Sequence, residues 1–172
     1  MKNKTLDIIK SRVSCRSYSD KKVPLKKIME IAEAGKYAPS GMNRQICNIF
    51  LFNSKRCVEK LRALSIKIRQ RDCMYGAKTV LLVGGPRDDR FTDLDGSCIL
   101  ENMFLAAHAL KINSCWINQF DELLQTNEGL KIKKSLDIPE NFRIVGACIL
   151  GYAKEDAVLT IKPRKEDFIK IK

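Results

Sequence analysis

Arg12-Val13-Ser14-Cys15-Arg16 sets two guanidinium groups around a hydroxyl near the start of the chain. That is a donor set for a phosphate: each guanidinium offers a planar pair of N–H groups matched to two phosphate oxygens, and the serine adds one more donor. One helix further on, Ala38-Pro39-Ser40-Gly41-Met42-Asn43-Arg44-Gln45 reads as a tight polar turn. Proline, glycine and asparagine suit such a turn because they preset or tolerate unusual backbone angles. A turn of this kind brings main chain close to a flat, hydrogen-bonding ligand. Together the segments suit one phosphorylated planar cofactor gripped at both ends, and flavin mononucleotide (FMN) fits that description.

Other chemistries find less support. The seven cysteines (15, 47, 57, 73, 98, 115 and 148) form no CxxC and no Cys/His cluster, so they read as reduced thiols. Cys98, Cys115 and Cys148 lie inside apolar runs and read as small core side chains. His108 is the single histidine and sits in an apolar helix, which argues against zinc, any other metal and a catalytic triad. The net charge of +12 raises nucleic acid as a partner. However, the densest cluster, Lys131, Lys133 and Lys134, has no interleaved aromatics for stacking on bases. A phosphorylated cofactor and an anionic nicotinamide dinucleotide account for the charge equally well.

Those residues need a scaffold, and 172 residues with 45% hydrophobic content suffice for a single domain, 1–172. No stretch approaches the roughly 20 apolar residues of a membrane span. No apolar run follows Met1-Lys2-Asn3-Lys4-Thr5, so the expected location is cytoplasmic. Periodicity predicts helices at 4–13, from Pro24 to Pro39, at 55–70, at Leu94–Leu110 and at about 126–136. It predicts strands at Ile46–Phe52, Thr79–Gly84, Ser114–Phe120 and Ile144–Tyr152. The Leu94–Leu110 helix is apolar on more than one side, which calls for a second covering surface, plausibly another subunit. After Tyr152 the chain turns charged and extended. Residues 153–172 therefore read as a tail, either frayed or lent to a partner.

With those elements placed, the chain resembles the flavin-dependent nitroreductase family over nearly its whole length. Arg12–Arg16 looks like that family's RRSxR signature, and Ala38–Gln45 is similar to its APSxxNxQ turn. Asp95 through Ile117, with Glu101-Asn102-Met103 and Ser114-Cys115-Trp116-Ile117, follows its central helix and next strand. Ile149-Leu150-Gly151-Tyr152 and Lys162-Pro163-Arg164-Lys165 are like its closing strand and basic tail. The resemblance implies an α+β fold, a mixed central sheet flanked by helices, and an intertwined homodimer with FMN at the interface.

It also implies roles. Arg12, Val13 and Ser14 would meet the phosphate, with Lys162 and Arg164 approaching from the tail. Arg16, read as one helical turn from Arg12, would reach the ribityl chain or the N1–O2 edge. Pro39, Ser40 and Asn43 would wall the ring and ribityl chain from the other subunit, although Asn43 also reads as a turn residue tolerating left-handed geometry, and Gln45 would present its amide to the pyrimidine or ribityl edge. The backbone of Trp116, Ile117, Asn118 and Gln119 would face N5 or O4, although Trp116 also reads as a core aromatic. No side chain stands out as nucleophile or acid, because the flavin carries the chemistry. The implied reaction is ping-pong: hydride from NADH or NADPH to N5, then onward to a nitroaromatic, quinone or similar small-molecule acceptor. Three departures stand out: Ile46-Cys47 where the family often has Pro-Trp, Lys111 where it commonly has Gly, and Asn118-Gln119 in a segment often containing Gly. An asparagine with positive φ at 118 would preserve the backbone there. The competing readings are an FMN protein with a dehalogenase or sensing role and a basic nucleic-acid-binding domain.

Overall fold

The structure is a computed structural model and describes residues 3–171. Helix α1 (Lys4–Ser11) starts where the Asn3 side chain accepts the Thr5 and Leu6 N–H groups. Pro24 stands at the N-cap of α2 (Leu25–Lys36), where its missing N–H costs no helix bond. Strand β1 (Asn48–Phe52) leads to α3 (Lys55–Arg69), capped by Ser54, and then to β2 (Thr79–Pro86). The long α4 (Thr92–Ala109) precedes β3 (Asn113–Ile117). Two short helices follow, α5 (Phe120–Leu124) and α6 (Asn127–Ser135), before β4 (Phe142–Gly151). The tail is extended apart from one 3₁₀ turn at Glu166–Phe168.

The strands lie in the order β1-β2-β4-β3, and every neighbouring pair is antiparallel. The α+β class holds. The mixed character expected of the sheet is confined to one isolated parallel bridge, Ser14 with Ser114. Side chains alternate across β2 and β4 as the pleat requires. Leu81, Val83, Cys148 and Leu150 face α2 and α4, whereas Val80, Leu82, Ala147 and Ile149 face α3 and α5. Both faces of the sheet are therefore covered, which is why β2 and β4 are apolar almost throughout.

Helix α4 lies between α2 and the sheet, burying Leu100, Met103, Phe104 and Ala107. Its opening turn leaves Leu94 63% exposed. Two expectations about local backbone change. The strand predicted to run to Phe120 stops at Ile117, and α5 begins with Phe120, whose ring anchors the helix in the core. Helix α1 stops at Ser11, and Arg12 (ψ 130°) is already extended. Among the predicted core cysteines, Cys115 and Cys148 are buried, but Cys98 points outward from α4 and is exposed. All seven cysteines are free thiols. No helix among the described residues is long and apolar enough to cross a membrane.

Candidate functional site

Because the chain is extended from Arg12 onward, Arg16 is not one helical turn from Arg12. The Ser14 bridge and the hydrogen bond from Cys15 N–H to Ser114 O (2.9 Å) lay this segment alongside β3. Strand-like alternation turns Cys15 into the core and puts Arg12, Ser14 and Arg16 on the other side. Arg12 and Arg16 are then about 13 Å apart along the strand, with the serine between them. The Arg12 guanidinium lies 6.0 Å from the centre of the Phe104 ring, and that ring leans on Trp116 at 5.9 Å. Its nearest carboxylate, Glu101, is at 4.0 Å. The guanidinium is therefore held in place by stacking more than by pairing, and its N–H groups stay available.

A cavity of about 230 Å³ adjoins it, lined by Ser11, Arg12, Val13, His108, Asn113 and Ser114 together with Leu159 and Ile161 of the tail. The tail thus passes this cavity just before Lys162 and Arg164, both of which are exposed and unpaired among the described residues. His108, expected as a bland helix residue, belongs here: its Nε2 is 2.8 Å from Ser11 Oγ. The signal for it was spacing, since His108 stands one helical turn beyond Phe104 on the face that meets α1.

The second predicted segment forms a different cavity. Pro39, Ser40 and Gln45 line a space of about 510 Å³ together with Met29, Tyr37, Ile49, Ile99, Cys47 and Asp95. The turn carries Met42, Asn43 and Gln45 at φ 54°, 55° and 51°, three left-handed residues without one glycine among them. Gln45 Nε2 donates to Asn43 Oδ1 (3.0 Å), and Gln45 N–H donates to Ser40 Oγ (3.3 Å). From below, Asp95 Oδ1 accepts the Gly41 N–H at 2.9 Å, and Asp89 pairs with Arg44 at 2.6 Å. Burial pushes the Cys47 thiol up to about 11, with Asp95, Asp89 and Asp93 adding to the effect.

The two cavities share no lining residue. Asp95 stands near the start of α4 and His108 near its end, a separation of about 20 Å along the axis at 1.5 Å per residue. One chain therefore brings Arg12, Val13, Ser14 and Trp116 together and leaves Pro39, Ser40, Asn43 and Gln45 at the far end of the helix.

Trp116 and Ile117 end β3, paired with Cys148 and Ala147. Trp116 is half-buried, its indole nitrogen close against Gly146, where any Cβ would collide with it. Asn118 is exposed and does not adopt positive φ, and Gln119 is right-handed (φ −77°, ψ −11°) at the start of α5. The left-handed residue falls instead at Lys111 (φ 58°). The lysine-rich cluster is not a free basic patch, because Lys133 is buried and donates to Glu140 O (2.7 Å) and Phe142 O (2.6 Å). No group of three or more metal-ligating side chains converges among the described residues.

A sequence model of the Nitroreductase family matches residues 9–72 and 65–152. A relative from Archaeoglobus fulgidus, provisionally named NADH dehydrogenase/NAD(P)H nitroreductase, is 29% identical over 157 residues, covering 88% of this chain and 86% of its own. The crystal structure of a nitroreductase from Bacteroides fragilis with bound FMN superposes with a TM-score of 0.91 at 34% identity, covering 99% of each chain. A nitroreductase from Desulfitobacterium hafniense, also with bound FMN, shares the fold at a TM-score of 0.87 and 24% identity over the full length of both.

Proposed function

Because this chain belongs to the nitroreductase family, we propose that it is an FMN-dependent oxidoreductase, taking a hydride from NADH or NADPH and passing electrons to a nitroaromatic, quinone or similar small molecule. The observation that carries this reading is the Arg12–Arg16 segment. Two guanidiniums and a hydroxyl lie along one extended segment, with the Arg12 guanidinium 6.0 Å from the Phe104 ring centre and its one carboxylate neighbour, Glu101, at the 4.0 Å limit of an ion pair. This donor chemistry fits a phosphate dianion. FMN, when bound, supplies the redox-active ring whose N5 accepts the hydride.

The chain's own residues do the binding and orienting. Arg12 and Ser14 hold the phosphate end with Val13 beside them in the same cavity wall, Arg16 reaches the ribityl chain or the N1–O2 edge, and Lys162 and Arg164 arrive on the tail. Main chain at Trp116, Ile117, Asn118 and Gln119 lies at the ring's reactive edge. Pro39, Ser40, Asn43 and Gln45 wall the ring from a second copy, because one chain holds its two binding segments too far apart along α4 to serve one ligand. The working unit is accordingly a homodimer, with residues 153–172 packing on the partner.

The test is the visible spectrum of the purified protein, with mass identification of whatever denaturation releases. A yellow protein that releases FMN is the expected result. In the flavin-stripped protein, Arg12→Ala weakens FMN binding by tenfold or more, about the contribution of one charged hydrogen-bonding group. A colourless protein that takes up no added FMN overturns the proposal.

A further inference from the structure

We infer that Asp95 is a positioning residue for the ring end of the cofactor: its buried carboxylate holds the Ser40–Gln45 turn in a shape that the turn's own residues resist. The inference rests on the FMN reading above. Met42, Asn43 and Gln45 are all left-handed, and a side chain makes each unfavourable relative to the right-handed form. A turn with that many unfavourable residues relaxes unless something outside it holds it. Two backbone bonds, Asn43 N–H to Ser40 O (3.0 Å) and Arg44 N–H to Gly41 O (3.1 Å), lie within the turn, and its side-chain bonds, Gln45 to Ser40 and Gln45 to Asn43, are on the exposed side and compete with water. The Arg44–Asp89 pair is also at the surface, with the arginine 43% exposed. The tie that reaches a buried group is the one from Gly41 N–H to the Asp95 Oδ1.

Asp95 itself is only 4% exposed, and its Oδ2 has no hydrogen-bond partner. A buried carboxylate with one oxygen idle detracts from stability when considered alone. Nor does it cap α4, whose N-cap is Phe91. What it supplies is a fixed position for Gly41, which is pressed against Phe91 so closely that a Cβ would lie 2.6 Å from the ring. Asp95 and Phe91 thus grip one residue from two sides and fix the path of the chain on either side of it. The residues so placed, Pro39, Ser40, Asn43 and Gln45, are those assigned to the flavin ring.

Ring and phosphate contributions separate experimentally by titrating the flavin-stripped full-length protein with FMN and with riboflavin, which lacks the phosphate. Asp95→Ala is expected to weaken both by roughly tenfold, leaving the FMN-to-riboflavin affinity ratio unchanged. Arg12→Ala lowers that ratio. Asp95→Asn, whose amide oxygen still accepts the Gly41 N–H, restores both affinities to within about threefold. Should Asp95→Ala not fold, Gly41→Ala breaks the same grip from the turn side and carries the same expectation. Wild-type affinity for both flavins in a variant that merely melts earlier overturns the inference. So does an Asp95→Asn protein as weak as the alanine variant. A wild type that binds neither flavin instead removes the FMN reading itself, so the two failures are told apart.

Discussion

Cys47 lies in the ring-end cavity and is the side chain there most easily mistaken for a nucleophile. Burial is the main cause that pushes its thiol up to about 11, and the carboxylates of Asp95, Asp89 and Asp93 add to it. A raised thiol value means less thiolate at any given pH below it, and the thiolate is the reactive species. At pH 8, alkylation of Cys47 by iodoacetamide is therefore expected to be roughly a hundredfold slower than for an unperturbed thiol. The rate should climb until about pH 11, as peptide mass spectrometry at a series of pH values would register. Fast labelling at pH 8 would contradict this environment. The residues proposed to hold the phosphate end are plain in the sequence, since Arg12 and Ser14 announce their chemistry by type. The role of Asp95 is not legible in the sequence, because its partner Gly41 lies 54 residues away and Thr92-Asp93-Leu94-Asp95 also has the spacing of a helix-capping pair. In the fold the Thr92 hydroxyl donates to Pro86 O at 2.7 Å, and Asp95 is left to reach Gly41.

Among the elements, legibility followed length and periodicity. Helices α2, α3 and α4 and strands β2 and β4 each repeat their pattern often enough to be read directly. Helix α5 has five residues with no glycine or proline to punctuate it; the sequence pattern assigns its first, Phe120, to the end of the preceding strand and the rest to no element. The Arg12–Arg16 segment was read as helical because its residues allow either state; pairing with Ser114, a contact distant in sequence, decides for the extended one. The end of α4 shows a further tertiary choice. Ile112 N–H returns to Ala107 O (2.8 Å) and Lys111 N–H to His108 O (3.0 Å), the paired bonds of a Schellman cap. That cap places Lys111 at φ 58° where glycine would rest without strain. Lys111→Gly is therefore expected to stabilise the protein by about 1 kcal/mol, the steric cost of a left-handed residue with a Cβ. In thermal melts this is a rise in Tm of about 2–4 °C for a domain of this size. A lower Tm would mean that the lysine side chain does more for the cap than its backbone angle costs.

For the whole molecule, what remains uncovered matters most. Tyr37 is 80% exposed, Phe168 82% and Ile171 94%, and the apolar residues of α1, Leu6 and Ile9, also face outward. The tail is fastened at its start through the Tyr18–Ala153 bridge, the bond from Ala153 N–H to Asn113 Oδ1 (3.0 Å) and the bond from Lys154 N–H to Ser17 O (3.1 Å), and Leu159 and Ile161 then line the cavity beside Arg12. Beyond Ile161 the large apolar side chains Phe168, Ile169 and Ile171 are almost wholly exposed, so those residues contribute little to the fold of their own chain. The exposed apolar side chains on this charged, extended tail and on α1 are accounted for under the proposed homodimer, in which a second copy covers both. Removing residues 158–172 should therefore leave secondary structure intact by circular dichroism. It should weaken self-association by roughly a hundredfold or more, given what burying several such side chains contributes. Sedimentation at graded concentrations measures that change. If the proposed homodimer forms the site, FMN affinity should fall with it, because Lys162 and Arg164 are lost and each turn at Ser40–Gln45 no longer meets a partner's Arg12 segment. A truncated chain that stays dimeric and binds FMN as tightly as the full chain would place the tail outside the site, and the cations at 162 and 164 would then be surface charges alone.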